Sequence, residues 1–147
     1  MSRDPECVFC KIVAGVFPSH VVHEDDAAFA FLDISPVAPG HLLIVPKDHY
    51  AALADMPPQT VGAIAGLLPR LGRAAMSVTQ AEGFNVLVNN GVVAGQVVEH
   101  VHFHLIPRRK DDGLGYRWAA GKYGEGEAER LLRSYHQALP SRSDSPT

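Results

Sequence analysis

The stretch EHVHFHLIPRR, residues 99–109, places His100, His102 and His104 at alternate positions with single apolar residues between them. Neighbouring side chains of a β-strand point to opposite faces, so this spacing predicts three imidazoles on one face and an apolar row on the other. A helix would scatter the rings around its axis. Because burying polar rings without partners is costly, the pattern predicts a strand whose histidines serve a metal or a ligand.

Length and composition indicate an ordinary globular protein. The 147 residues suit one well-cored domain, and 46% of them are hydrophobic and 20% charged. A formal net charge of −3 gives no electrostatic basis for general binding to nucleic acid or membranes. No apolar run approaches membrane-spanning length, and the first residues lack a signal-peptide core, so we expect a cytoplasmic protein.

The periodicity of apolar and turn-forming residues predicts an α+β fold. Helical patterns cover residues 6–14, a long amphipathic stretch after Pro57 and a last stretch at about 125–139, with a helical turn over 47–54. Strand patterns cover residues 20–24, 27–32, 41–46 and 84–89, besides the histidine segment. We expect a single domain over residues 1–140 and a disordered tail at 141–147.

Cys7 and Cys10 are the only cysteines in the chain, and two residues separate them. In a reducing cytoplasm such a pair indicates metal or redox chemistry more often than a structural disulfide. A redox pair of the thioredoxin type needs a strand–turn–helix setting that the sequence does not show, and structural zinc needs four ligands.

The histidine row matches the signature of the histidine triad (HIT) family, His-φ-His-φ-His-φ-φ, where φ is an apolar residue. Three further stretches resemble the Hint-like, mostly hydrolase, branch of that family: CVFCKIVAG at 7–15, EDDAAFAFLDISPVAPGHLLIVPKDH at 24–49 and NVLVNNGVVAGQ at 85–96. The resemblance covers about residues 6–109. It implies a HIT-like fold, an antiparallel sheet of about five strands with one long and several short helices.

The resemblance implies a nucleotide hydrolase or nucleotidyl transferase that acts on a purine nucleoside 5′-phosphate derivative. The substrate would be a phosphoramidate, a nucleotidyl adduct or a dinucleoside polyphosphate. His102 would attack the α-phosphorus and form a nucleotidyl-histidine, His104 would donate a hydrogen bond to the phosphate or the departing atom, and His41 would support the triad. A neutral imidazole is a competent nucleophile near pH 7, and neighbouring imidazoles disfavour each other's charged form.

The same resemblance assigns the substrate-binding residues. Asn89 and Gln96 would hold phosphate oxygens, while Gly91 and Gly95 would let backbone N–H groups approach the phosphate. Asp33 would accept hydrogen bonds from both ribose hydroxyls, although its local sequence fits a turn-capping aspartate equally well. Four apolar residues would form the slot for the purine: Phe9, Ile12, Phe31 and Ile34.

The chain departs from the family pattern after Gln96. The best-known eukaryotic members have Ser or Thr at the next position, where the hydroxyl contacts the phosphate, whereas this chain has Val97. The segment from Asp111 onward does not resemble the short ending of those members either. The resemblance therefore leaves the leaving group open.

Many bacterial members of this branch resemble the chain in carrying Cys-x-x-Cys together with two histidines at the positions of His49 and His100. This implies one structural Zn²⁺ per chain, bound by Cys7, Cys10, His49 and His100. The resemblance also implies a homodimer that pairs the strand at 84–89 and the helix after Pro57. We expect no nucleic-acid and no membrane partner.

A second hypothesis belongs to a different class. The chain could be a catalytically silent HIT module whose histidines only bind zinc or a partner protein. Under this hypothesis Asp33, Asn89 and Gln96 would have no common purpose, so an enzyme explains more of the sequence.

Overall fold

A computed structural model describes residues 3–115 and 118–139 of the chain. The chain forms two compact units, one ending at Leu114 and the other beginning at Gly115. The predicted single domain over residues 1–140 stays a prediction, and the predicted tail at 141–147 lies outside the described residues. Within those described ranges, none of the helices is both long enough and apolar enough to span a bilayer.

The first unit is built around one antiparallel sheet. Its strands are β1 (Val21–Glu24), β2 (Ala28–Leu32), β3 (Leu42–Pro46), β4 (Gly83–Val88) and β5 (Phe103–Arg108), in the spatial order β1-β2-β3-β5-β4. Its helices are α1 (Val8–Val13) and α2 (Pro58–Thr79), with 3₁₀ turns at Leu53–Asp55 and Val92–Ala94. The second unit contains α3 (Glu127–Ala138). The predicted α+β class and five-stranded antiparallel sheet are confirmed.

The two central strands explain why their sequences are almost continuously apolar. Alternate residues of β2 and β3 belong to two different hydrophobic clusters, one packed against α2 and the other against α1. Helix α2 contributes Ile64 and Leu71 to the first cluster, and helix α1 contributes Phe9 to the second. Because alternate strand residues face opposite sides, β2 and β3 are buried on both faces of the sheet.

Two predicted elements differ from the structure. The helical turn expected over residues 47–54 is confined to Leu53–Asp55. Before it, the Tyr50 carbonyl accepts the N–H of Val101, and the Ala51 carbonyl accepts the side chain of Gln96. These carbonyls pair with distant segments, so they are not available for helical hydrogen bonds.

The histidine strand also begins later than predicted. β5 starts at Phe103, so His100 and His102 precede the strand and only His104 lies within it. The N–H of His100 bonds back to the Val98 carbonyl, which turns the chain before the ladder starts. The alternation itself is retained, because the apolar residues of the row join the cluster on the α2 side: Val101, Phe103 and Leu105.

A pair of glycines in α2 tests the packing of this helix on the sheet. A Cβ added at Gly72 would overlap the ring of Phe84, whereas a Cβ added at the exposed Gly66 would meet no atom within 4 Å. We expect Gly72→Ala to lower the free energy of unfolding by about 1–3 kcal/mol through overpacking. Gly66→Ala should raise it by up to about 1 kcal/mol, since alanine favours the helix. Urea unfolding measures both, and equal stability of the two variants would contradict this packing.

Candidate functional site

Two thiols and two imidazoles meet at the start of α1. The Cys7 Sγ lies 3.5 Å from His100 Nδ1, and the Cys10 Sγ lies 3.5 Å from His49 Nδ1 and 3.6 Å from His100 Nδ1. The four potential ligand atoms all lie within 4.8 Å of one another. Two thiols and two imidazoles are a donor set that suits a tetrahedral metal site, and they are the set that the family resemblance implied. The cluster can therefore bind a metal ion.

A backbone carbonyl orients the His100 ring toward the thiols. The Nε2–H of His100 donates to the Pro46 carbonyl at 2.9 Å. Because a carbonyl can only accept a hydrogen bond, the ring proton lies on Nε2 and the lone pair lies on Nδ1. Desolvation by burial lowers the pKa of His100 to about 4, so the ring is neutral. Burial also raises the pKa of the Cys10 thiol, an effect that a bound cation would oppose.

His102 has a fixed tautomer of the opposite kind. Its Nδ1–H donates to the carbonyl of His100 at 2.7 Å, which leaves the lone pair on Nε2. The buried ring packs edge-on against Phe9, with centroids 5.1 Å apart, and against His104, with centroids 4.9 Å apart. The hydrogen bond thus occupies Nδ1 and leaves Nε2 as the ring nitrogen that is available to react.

A chain of hydrogen bonds fixes the neighbouring His104. The N–H of Val37 donates to His41 Nδ1 at 3.2 Å, so the proton of His41 lies on Nε2 and donates to His104 Nδ1 at 2.9 Å. The proton of His104 must then lie on Nε2. Burial, followed by the neighbouring His102 and His41, lowers the pKa of His104 to about 4, and burial lowers the pKa of His41 as well. His104 therefore carries its donor on Nε2, in a ring whose centroid lies 4.9 Å from that of His102.

Asp33 lies beside the hydrogen bond between His41 and His104. Its Oδ1 accepts the N–H of Ser35 at 2.8 Å, so it caps the turn, and its Oδ2 lies 3.7 Å from His41 Nε2. Asp33, His41 and His104 are also close enough to hold a metal ion by distance alone. Because Val37 N–H donates to His41 Nδ1, the proton of His41 lies on Nε2. A metal ion bound at Nε2 would have to displace that proton, which would convert the ring into an imidazolate anion. His41 and His104 therefore form a hydrogen-bonded pair with the Asp33 carboxylate beside it.

The loop before β5 is organised by Gln96. Its Oε1 accepts the N–H of Gly91 at 2.8 Å, and its Nε2 donates to the carbonyls of Ala51 and Val98 at 2.7 and 3.0 Å. Asn89 makes only a long bond of 3.4 Å to the carbonyl of Gly95, whose φ of 95° is a left-handed conformation. In this structure the Gln96 amide holds the loop through three hydrogen bonds, whereas the Asn89 amide makes one long hydrogen bond.

The four residues predicted for the purine slot separate into two pairs. Phe9 and Phe31 are buried core residues, with ring centroids 5.8 Å apart, and Phe9 also contacts His102. Ile12 is half-buried and lines a cavity of about 380 Å³, whereas the side chain of Ile34 is 89% exposed. Of the aromatic pair, Phe9 packs against His100 and His102 and Phe31 packs against Phe9, while the two isoleucines offer the more accessible apolar surface.

The groups that sequence reasoning missed are mostly backbone atoms. The carbonyls of Pro46 and His100 and the N–H of Val37 decide which nitrogen of each ring carries the proton. The carbonyl of Ala51 holds Gln96. Every residue has such groups, so no side-chain pattern could have marked these four.

A family model described as the HIT domain matches residues 14–111. With that match, the sheet and the arrangement of the histidines define a HIT-fold protein. The chain belongs to the HIT family.

Two curated relatives illustrate the similarity. Adenosine 5′-monophosphoramidase HNT1 of Candida albicans is 42% identical over 152 residues, which cover 95% of this chain and 100% of the relative. Adenylylsulfatase HINT3 of Arabidopsis thaliana is 44% identical over 115 residues. Those residues cover 78% of this chain but only 57% of the plant protein, which is longer.

Solved structures show the same fold. A HIT family protein from Bacillus subtilis superposes with a TM-score of 0.87 at 37% identity, covering 92% of this chain and 99% of its own. A Zn-bound histidine triad family protein from Mycobacterium smegmatis gives a TM-score of 0.72 at 39% identity, covering 91% and 98%.

Proposed function

We propose that this chain, a nucleotide hydrolase of the HIT family, cleaves the α-phosphate bond of purine nucleoside 5′-phosphate derivatives through a nucleotidyl-histidine on His102. The observation that carries the proposal is the hydrogen bonding of two adjacent rings, whose centroids lie 4.9 Å apart: His102 uses Nδ1 and keeps Nε2 available, and His104 accepts at Nδ1 and keeps its donor on Nε2. Two relatives are named adenosine 5′-monophosphoramidase and adenylylsulfatase, and these names support a nucleotide substrate.

The first half-reaction uses these two rings. His102 Nε2 attacks the α-phosphorus in line, the new N–P bond forms, and the electron pair of the breaking bond goes to the leaving atom, which takes a proton from solvent. The Nδ1–H bond to the His100 carbonyl stabilises the positive charge that develops on the His102 ring. His104 donates a hydrogen bond from Nε2, and not an extra proton, because the chain through His41 already fixes both of its nitrogens.

The second half-reaction regenerates the enzyme. Water attacks the phosphorus and releases a proton to solvent, the N–P bond breaks, and the electron pair returns to His102 Nε2. The mononucleotide is released. Asn89 would bind phosphate oxygens, Asp33 the ribose hydroxyls, and Ile12 and Ile34 the purine, while Gln96 and Gly95 would hold the loop that approaches the phosphate.

The nucleophile assignment predicts the behaviour of His102→Ala. Loss of covalent catalysis should reduce turnover of an adenosine phosphoramidate by several orders of magnitude, while the folded variant still binds the mononucleotide. His20→Ala, a change at an exposed histidine, is the matched control and should keep full activity. A mass spectrum of quenched wild-type enzyme should show a nucleotidyl adduct that His102→Ala lacks. A variant that retained more than about a tenth of the activity would contradict the assignment.

We also propose that Cys7, Cys10, His49 and His100 bind one structural Zn²⁺ per chain. The Zn-bound relative from Mycobacterium smegmatis supports the choice of metal. When bound, zinc would link the start of α1 to the segment after β3 and to His100. Four protein ligands leave no open position for a water molecule, so the metal would not take part in catalysis. A reducing cytoplasm, the location that we propose, would keep both thiols available.

Metal analysis of protein purified without chelators tests the zinc site. We expect about one zinc per chain. Cys7→Ser should lower the melting temperature far more than the rate per folded molecule, because lost metal is lost folding free energy. His49→Asn should also lose the metal, and His136→Asn, a change on exposed α3, should retain it. Zinc-free protein in which both native thiols titrate freely would contradict the site.

A homodimer is the third part of the proposal. β4 is an edge strand of the described sheet, and it exposes Val86 and Leu87. An open strand edge with apolar side chains is a liability that pairing with a second copy removes. We therefore expect light scattering at micromolar concentration to give twice the mass of the chain, and a monomeric mass would contradict the dimer.

A further inference from the structure

Two side-chain amides attach the loop of residues 89–96 to a distant segment of the chain. Asn90 Oδ1 accepts the N–H of Leu53 at 2.7 Å, and Gln96 Nε2 donates to the Ala51 carbonyl, also at 2.7 Å. Both bonds reach the short segment that precedes α2. The two amides therefore hold both ends of the loop against the same piece of backbone.

The two amides differ in what else they do. Gln96 is buried, and its Oε1 also accepts the N–H of Gly91 at 2.8 Å, so it organises the interior of the loop. Asn90 is exposed, and its bond joins the loop to Leu53, which lies 37 positions earlier in the chain. Because substitutions of exposed residues change overall stability little, the Asn90 bond acts mainly on the local position of the loop.

The register of β4 and β5 relates this loop to the nucleophile. Val88, the last residue of β4, pairs with Phe103, the first residue of β5. Asn89 and His102 are the next residues outward on the two segments. The backbone therefore brings Asn89 and His102 to the same end of the β4–β5 ladder.

Asn89 lies between two fixed points of the backbone. On one side Val88 is held by the ladder, and on the other side Asn90 is held by its bond to Leu53. The Asn89 amide itself makes only the long bond of 3.4 Å to the carbonyl of Gly95. A bond of this length constrains a side chain weakly, so the flanking backbone decides where the amide lies.

We propose that Asn90 is a positioning residue for the reaction, because its bond to the N–H of Leu53 fixes the backbone from which the Asn89 amide reaches the α-phosphate. This inference rests on the proposed function, in which Asn89 binds phosphate oxygens. Asn90 acts through its neighbour and not through contact with the nucleotide. Small displacements of a group that holds the substrate reduce the rate strongly, so an exposed hydrogen bond can matter for turnover while it contributes little to stability.

A double-mutant cycle between the neighbouring asparagines tests the inference. We expect Asn90→Ala to lower kcat/KM for an adenosine 5′-phosphoramidate by about tenfold. Asn89→Ala should lower it by at least as much. In protein that already carries Asn89→Ala, the further change Asn90→Ala should lower kcat/KM by less than about twofold, because the group that Asn90 positions is gone.

Stability and a second amide provide the controls. The melting temperature of Asn90→Ala should stay within about 2 °C of the wild type, as expected for an exposed site. Gln59→Ala removes another exposed amide, from the first turn of α2, and should keep the wild-type kcat/KM. Circular dichroism gives the folded fraction of each variant, so that rates refer to folded protein.

The outcomes separate this inference from the function on which it rests. Wild-type kcat/KM in Asn90→Ala or in Asn89→Ala would overturn the positioning role, and so would a full tenfold loss from Asn90→Ala in both backgrounds. In each of these cases the reaction itself would stand. Absence of turnover and of any nucleotidyl adduct in the wild type would overturn the proposed function, and the positioning role with it.

Discussion

The hydrogen bond from His102 Nδ1–H to the carbonyl of His100 is the interaction on which the site depends. It sets the tautomer of His102 and so decides which nitrogen is free to react. The residue that accepts this bond also directs its own ring into the cluster of Cys7, Cys10 and His49. One short segment before β5 therefore supplies a side chain to the cluster of cysteines and histidines and a backbone oxygen to the His102 ring. Neighbouring members of the alternating row thus have different partners, the two thiols for His100 and the rings of Phe9 and His104 for His102.

Neutrality of the imidazoles follows from burial more than from mutual repulsion. For His100 and His104, desolvation is the largest cause of the lowered pKa, and the neighbouring rings add smaller effects. Asp33 acts in the opposite direction on His41 and His104, but its carboxylate does not outweigh burial. The rings of His100 and His104 are therefore uncharged near pH 7, even though the Asp33 carboxylate lies 3.7 Å from His41 Nε2.

How much the sequence could predict depended on whether side chains or backbone groups decided the structure. β2 and β3 were predictable because burial on both faces produces continuous apolar runs, and the cysteines and histidines of the metal cluster are brought together as the family resemblance implied. The late start of β5 and the missing turn before Leu53 were not predictable, because the carbonyls of Tyr50 and Ala51 pair with residues far along the chain. The role of Gln96 in shaping its own loop depends on the same carbonyl.

The position of β3 in the middle of the sheet has a consequence for motion. His41 immediately precedes this strand, and His104 lies opposite its Leu43 on β5. Strands that are paired on both edges and buried on both faces exchange their amide hydrogens only when the whole domain unfolds, whereas edge strands open locally at much lower free energy. The hydrogen bond between His41 and His104 thus lies at the part of the first unit that opens most slowly. Local opening at β1, which pairs only with β2, can therefore proceed without disturbing the hydrogen bond between His41 and His104.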